Sequence, residues 1–238
     1  ASSWKKKTLK PTIAAVVLTH NSDQHLAKCL ASLSWVTNIT VIDSGSTDKT
    51  LSIAHKYHAL VIKREFDTFS AQRNFALTKV MTYNWVLMVD SDEVVEKKLA
   101  AELKSYALDI YLDGVEVPRR NKIWSKWIEH ADWYPDYRLV FFRPKLVSYE
   151  GDVHERIKFV RGNGTVAKAQ HNLLHDNYET VEEFVIKNLV RYPREYAVVL
   201  NDSGVKFSPG EMIGKSIGEF FRRFFLTQGY KDGLHGLL

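Results

Sequence analysis

Three carboxylates stand within four residues at the end of an apolar run: Val86-Leu87-Met88-Val89 leads into Asp90, Ser91, Asp92 and Glu93. Like charges this close repel and raise one another's pKa, so the cluster is comfortable either in open solvent or around a cation. An Asp-x-Asp pair alone is a weak signal, and its place at the end of an apolar strand is the stronger one. A solvated helix N-terminus, where acids favour the helix dipole, is the competing reading, and Glu93 fits it best. Two more polar clusters follow apolar runs: Thr19-His20-Asn21, and Asp43-Ser44-Gly45-Ser46-Thr47-Asp48. Turn and cap chemistry competes with ligand binding at Asp43, and Ser46 reads mainly as a cap. Further along stand Asp152-Val153-His154-Glu155-Arg156, then His171 and His175. Trp124, Trp127 and Trp133 lie within ten residues. Their faces suit stacking on sugars and suit packing equally.

The elements that would position these groups follow from periodicity. Short runs rich in Val and Ile, at 13–18, 39–42, 60–62 and 85–89, read as strands buried on both faces. Helical patterns lie between them: Leu26, Leu30 and Leu33 at i, i+4 and i+7, with Asn21 or Ser22 placed to cap; Leu51, Ala54 and Tyr57, with Ser46 and Thr47 placed to cap; and residues 70–79. Alternation of strand and helix predicts an α/β fold with a mostly parallel sheet and right-handed crossovers. In such sheets ligands bind beyond the carboxyl ends of the strands, which gathers the three polar clusters along one edge. After residue 108 the rhythm breaks, with strands expected near 114–118 and 137–142.

The chain has 238 residues, 45% hydrophobic and 26% charged, with a net charge of +5. These values describe one large globular domain or two small ones, with a core that needs no staples. A single cysteine, Cys29, excludes an intramolecular disulfide and suits a reducing compartment; it reads as an ordinary helix residue. No apolar run reaches membrane-spanning length, and no secretory leader is read at the start. The modest positive charge suits anionic ligands or an anionic surface. The basic residues are dispersed and no recognition motif is present, so a nucleic-acid-binding module is disfavoured.

The segments VVLTHNSDQHLAKCLASL, VIDSGSTDKT, FSAQRNFAL and WVLMVDSDE, in that order, resemble the inverting family-2 glycosyltransferases of the GT-A fold. GDVHERI, LLHDNYET and the tail FFRRFFLTQGYKDGLHGLL resemble the bacterial subgroup of β-1,4-glucosyltransferases that act on the lipopolysaccharide inner core. The resemblance covers residues 11–238. It implies a Rossmann-like GT-A sheet flanked by helices with a C-terminal helical extension. The divisions are a tail at 1–10, a nucleotide-sugar-binding half at 11–108, an acceptor-binding half of the same domain at 109–205 and an amphipathic helical tail at 206–238. It further implies a UDP-sugar donor, with glucose as the best guess, and a divalent metal, Mg²⁺ or Mn²⁺, held by Asp90, Asp92 and His175. Donor contacts fall to Thr19, Asn21, Asp43, Arg73 and Asp90. Glu155, with Asp152 as alternative, becomes the catalytic base, and the three tryptophans become acceptor-side candidates. Other cell-surface glycans remain alternative acceptors. A sugar-phosphate nucleotidyltransferase is the rival activity, disfavoured because Thr19-His20-Asn21-Ser22 lacks that class's Gly-rich loop.

The tail carries an apolar stripe, Ile213, Ile217, Phe220, Phe221, Phe224 and Phe225, with Lys215, Arg222 and Arg223 on its other faces. Three readings are open: a core helix, a homodimer contact, or an interfacial helix over residues 210–238. The last fits a cytoplasmic enzyme, peripheral on the inner membrane face, whose acceptor is a lipid-linked saccharide.

Overall fold

The computed structural model describes residues 10–151, 155–206 and 208–237. Four parallel strands carry the first part: β1 (Ile13–Thr19), β2 (Asn38–Asp43), β3 (Leu60–Lys63) and β4 (Trp85–Asp90), in spatial order β3-β2-β1-β4. Helices α1 (Leu26–Ser32), α2 (Thr50–Lys56) and α3 (Phe69–Val80) connect them. The strands fall where the Val- and Ile-rich runs place them.

Alternation along β1 and β4 sorts their side chains onto the two faces. Ala15, Val17, Leu87 and Val89 pack with Leu26, Cys29 and Leu30 of α1. Ala14, Val16, Val86 and Met88 pack with Ala76, Leu77 and Val80 of α3. Cys29 is fully buried and its thiol is pushed well up, first by burial and then by Glu93, Asp92 and Asp90.

The helix starts differ from expectation. Neither Asn21 nor Ser22 caps α1, whose N-cap is His25 without a side-chain bond. Neither Ser46 nor Thr47 caps α2; Asp48 Oδ1 accepts from Thr50 N at 2.9 Å instead. Thr68 caps α3 by accepting from Ala71 N at 3.2 Å. The missing caps have other work in the loops described below.

The second part joins the same sheet. After Asp90 the chain turns into β5 (Glu93–Val95) and then α4 (Lys97–Tyr106). Strand β6 (Gly114–Ile123) lies antiparallel to β7 (Lys126–Trp127) and to β8 (Asp136–Phe142), which pairs with β4. Strands β9 (Val147–Glu150) and β10 (Arg156–Phe159) form a separate hairpin. Strand β11 (Val166–Lys168) runs parallel to β6, and β12 (Leu173–Tyr178) inserts between β6 and β5. The large sheet reads β3-β2-β1-β4-β8-β6-β12-β5.

Helix α5 (Val181–Val185) continues through a π-helical stretch, Ile186–Arg191, into α6 (Tyr192–Asp202). Then come α7 (Pro209–Phe221) and, after short turns, α8 (Leu234–Leu237). Helix α7 buries none of its residues, and Ile213, Ile217, Phe221 and Phe225 are each more than half exposed. The core-helix reading of this stripe therefore fails for the folded chain. No helix among the described residues is long and apolar enough to cross a membrane.

Leu30, 1% exposed between α1 and the sheet, tests the packing. Leu30→Ala should destabilise the protein by about 2–5 kcal/mol in urea unfolding, because it removes transfer free energy and leaves a cavity.

Candidate active site

The strand registers bring the polar clusters to one level. Thr19 pairs with Asp43 across β1–β2, and Leu18 pairs with Asp90 across β1–β4. The loops beyond are stitched together. Asn21 N donates to Ser46 Oγ at 2.9 Å, and Thr47 N donates to Asn21 Oδ1 at 2.8 Å. Ser22 N donates to Thr50 Oγ1 at 2.7 Å, and Ser91 Oγ donates to Ser22 Oγ at 2.8 Å.

Asp43 is 0% exposed. Its Oδ2 accepts from Gly45 N and Ser46 N at 3.0 Å each, and its Oδ1 accepts from Ser46 Oγ at 2.5 Å. Gly45 sits at φ +91°, which glycine adopts freely, and this lets the turn close onto the carboxylate. Asp43 thus holds the loop that presents Ser44, and both oxygens expected to reach the donor are engaged. Ser46 serves that same loop. Asn21 ties two loops together and does not line the cavity they enclose.

That cavity, about 500 Å³, is lined by Thr19, His20, Ser44, Phe66, Gln72 and Asp90–Asp92, among others. Two of its polar atoms, Thr19 Oγ1 and Asp92 Oδ1, are buried without a hydrogen-bond partner. Buried polar atoms are rarely left so, and both belong to residues that line this cavity. Gln72 Nε2 donates to Ser44 Oγ at 2.9 Å, and Phe66 meets Phe69 edge-on at 5.0 Å. None of Ser44, Phe66 or Gln72 was a sequence candidate, although Gln72 adjoins Arg73 in the same motif.

A second cavity, about 570 Å³, shares Asp90 with the first and is lined by Arg73, Glu93, Arg119, Tyr149 and Glu155, among others. Arg73 bridges its wall: NH2 donates to Asp90 Oδ1 at 3.0 Å and Nε to Glu155 Oε1 at 3.1 Å. Burial disfavours the guanidinium charge, but Asp90, Tyr149 and Glu155 outweigh it and raise the pKa. Arg73 is therefore an organiser of two carboxylates, and its expected contact with a donor diphosphate is not what this arrangement presents. Asp152 and His154 lie outside the described residues.

Glu93 is not an acid at a helix start. It is 3% exposed in β5, accepts from Asp90 N at 2.9 Å, and faces Arg119 at 3.5 Å. Burial, then the Asp90 charge, pushes its pKa up to about 7.

Strand β12 delivers His175 to Asp92. In register, His175 pairs with Glu93 on one side and Asn121 on the other. Asn121 Nδ2 donates to Trp133 O at 3.0 Å, so its Oδ1 faces His175 Nδ1 at 2.7 Å and accepts that proton. His175 Nε2 then faces Asp92 Oδ2 at 3.5 Å. Burial raises the Asp92 pKa, but the His175 hydrogen bond and charge more than offset this, and the net shift is down. A carboxylate with an orphan oxygen beside an imidazole nitrogen, which an ion can take in place of a proton, is a donor set that suits Mn²⁺, and its oxygens suit Mg²⁺. No cluster of three or more His, Cys, Asp or Glu ligands stands preformed among the described residues, so an ion here needs ligand oxygens as well.

The three tryptophans stay outside both cavities. Trp124 packs on Phe184 and His235. Trp127 lies under Arg120 and Lys122. Trp133 lines a pocket against Phe220 and Phe224 of the tail. Trp124 and Trp127 are thus engaged by neighbouring side chains, while Trp133 faces a third pocket.

Residues 14–162 match the family model described as glycosyl transferase family 2. The chain is 28% identical to an uncharacterized glycosyltransferase of Rickettsia conorii, over 98% of this chain and 86% of that protein. It is also 28% identical to the lipopolysaccharide core biosynthesis glycosyltransferase LpsC of Rhizobium meliloti, over 96% of this chain and 86% of that protein. Among solved structures, it resembles glucosyl-3-phosphoglycerate synthase of Mycobacterium tuberculosis crystallised with Mn²⁺, UDP and glucosyl-3-phosphoglycerate. That likeness has a TM-score of 0.52 at 16% identity and covers 83% of this chain and 82% of that one.

The buried Glu93 makes a pH prediction. Its folded pKa of about 7 exceeds the unfolded 4.5, so the folded state holds the proton more tightly. Its contribution to stability is then present below pH 4.5 and lost as pH rises through about 7. Glu93→Gln should flatten that part of the stability profile of the metal-free protein between those values, measured by urea unfolding across pH.

Proposed function

The chain belongs to glycosyl transferase family 2, and on that premise we propose that it is a metal-dependent inverting hexosyltransferase. It moves a sugar, glucose from UDP-glucose as the best reading, onto a heptose of the lipopolysaccharide inner core. The observation that carries the reaction class is the meeting of two cavities at Asp90, one with orphan polar atoms and one with a buffered carboxylate. The relation to LpsC supports the acceptor, and the solved complex with UDP and Mn²⁺ supports the donor class.

The first cavity takes the donor, with Thr19, Ser44, Gln72 and Asp90 as its polar contacts and Phe66 beside the base. Asp92 and His175 would hold the divalent ion, and Asn121, by accepting from Nδ1, leaves His175 Nε2 to face it. When bound, the ion neutralises charge on the leaving diphosphate. In the second cavity Glu155 accepts the proton of the acceptor hydroxyl. The hydroxyl oxygen forms its bond to the anomeric carbon, and the old C–O pair leaves with the nucleotide. Arg73 holds Glu155 and Asp90 at a fixed spacing across this junction.

The exposed stripe of α7 is assigned to the bilayer that carries a lipid-linked acceptor, making the protein peripheral on the cytoplasmic face. Most of the basic charge beside the stripe is already spent. Lys215 pairs with Glu211, Arg222 with Glu219 and Asp132, and Arg223 with Glu219. Membrane contact therefore rests on apolar area more than on attraction to anionic lipid.

Three outcomes are expected. Asp92→Asn abolishes transfer and metal-dependent UDP binding while circular dichroism stays native; full activity in excess chelator would contradict the metal assignment. Glu155→Gln keeps UDP affinity in calorimetry and lowers turnover by about 10²- to 10⁴-fold. In liposome flotation the intact chain binds and Phe221→Glu/Phe225→Glu does not, with only modest loss at high salt. Equal flotation of both forms would move any membrane contact elsewhere.

A further inference from the structure

The cavity on the Glu155 side holds four arginines, Arg73, Arg119, Arg138 and Arg156, against four acids, Asp90, Glu93, Glu116 and Glu155. Most of this charge is matched. Arg73 serves Asp90 and Glu155, and Arg119 serves Glu93 and Asp136. Glu116 faces Lys168 at 3.8 Å.

Two guanidinium groups are not used up. Arg156 is exposed on β10, next in sequence to Glu155, and among the described residues its side chain has no hydrogen bond or ion pair. Arg138 engages Asp136 Oδ1 only through Nε, at 2.9 Å, and Asp136 is already shared with Arg119. The terminal nitrogens of Arg138 are left open, on a side chain 57% exposed. One unpaired surface arginine is ordinary. Two planar forks lining the wall that also carries the base make a recognisable anion receptor, since guanidinium donors match carboxylate and phosphate oxygens in pairs.

We propose that this cavity selects a saccharide acceptor that carries a carboxylate or phosphate close to the attacked hydroxyl, and that Arg138 and Arg156 bind that anion. The inference rests on reading this cavity as the acceptor side. It adds that a neutral sugar of the same shape is a poor acceptor. The anion holds the sugar in the cavity that Glu155 also lines, so the two arginines set specificity and take no part in proton transfer.

The test begins with binding. The full chain, loaded with UDP and Mn²⁺, is titrated with glucose, glucuronate and glucose 6-phosphate by NMR. Preference for the charged sugars is expected, and Arg138→Gln/Arg156→Gln removes it while Lys56→Gln, outside both cavities, keeps it. Equal binding of all three sugars, no binding, or a preference that survives the double variant overturns the proposal. So does a loss of UDP affinity in the double variant, which would make these donor contacts. Transfer assays then separate the sources, using deacylated inner-core oligosaccharide either phosphatase-treated or carboxyl-reduced. The treatment that removes the recognised anion raises KM by about 10- to 100-fold in the wild type and changes little in the double variant. No transfer to any core form, with charged-sugar preference intact, rejects the lipopolysaccharide acceptor and leaves the anion site standing.

Discussion

The site depends on one buried cation. Asp90, Asp92, Glu93 and Glu155 converge on the carboxyl edge of a sheet, and their mutual repulsion would open the edge unless each were answered. Arg73 answers two of them at once, at 3.0 and 3.1 Å, from a position reached by a helix between β3 and β4. Arg119 answers Glu93 and His175 answers Asp92. Buried pairs of this kind add little net stability, because desolvation offsets the attraction, yet losing one partner strands the other. The arrangement holds negative charge at the junction where the proposed reaction would use it.

Topology supplies the rest. Parallel pairing of β3, β2, β1 and β4 puts all four carboxyl ends on one edge, and the loops beyond β1 and β2 are laced so that Ser44 and Thr19 face one cavity. The antiparallel additions β8 and β6 bring Arg138, Arg119 and Asn121, and β12 slots His175 between Asn121 and Glu93. His175 and the loop at Trp133 share a single amide, that of Asn121.

Much of this was legible in the chain. Strands β1 to β4 announce themselves as short Val- and Ile-rich runs, and Asp90 and Asp92 stand where such a strand ends. Contacts between distant segments left no such mark. Asn121 is an ordinary polar residue in a mixed stretch, and only its register with His175, 54 positions later, gives it a role. Glu93 looks like a helix-start acid because local pattern cannot show that Glu93, Val94 and Val95 form a short strand with Glu93 buried. Asp43 and Arg73 have the residue types a ligand would want, but in the fold their polar groups are engaged by neighbours. The tryptophans and the α7 stripe show the limit of composition: aromatic faces look alike in sequence whether they meet a sugar, a bilayer or each other.

The two cavities share Asp90, with the base candidate Glu155 in the second and the unpaired polar atoms in the first. On the function proposed above, a hydroxyl activated from the Glu155 side would attack a donor seated in the other cavity, from the face opposite the departing nucleotide. Proton NMR of the freshly formed product reads this most directly. From an α-linked UDP-glucose donor the account predicts a β-glycosidic linkage, seen as a large trans-diaxial coupling on the anomeric proton. An α-linked product would contradict it, because retention means that Glu155 does not act as base for a single attack opposite the leaving nucleotide.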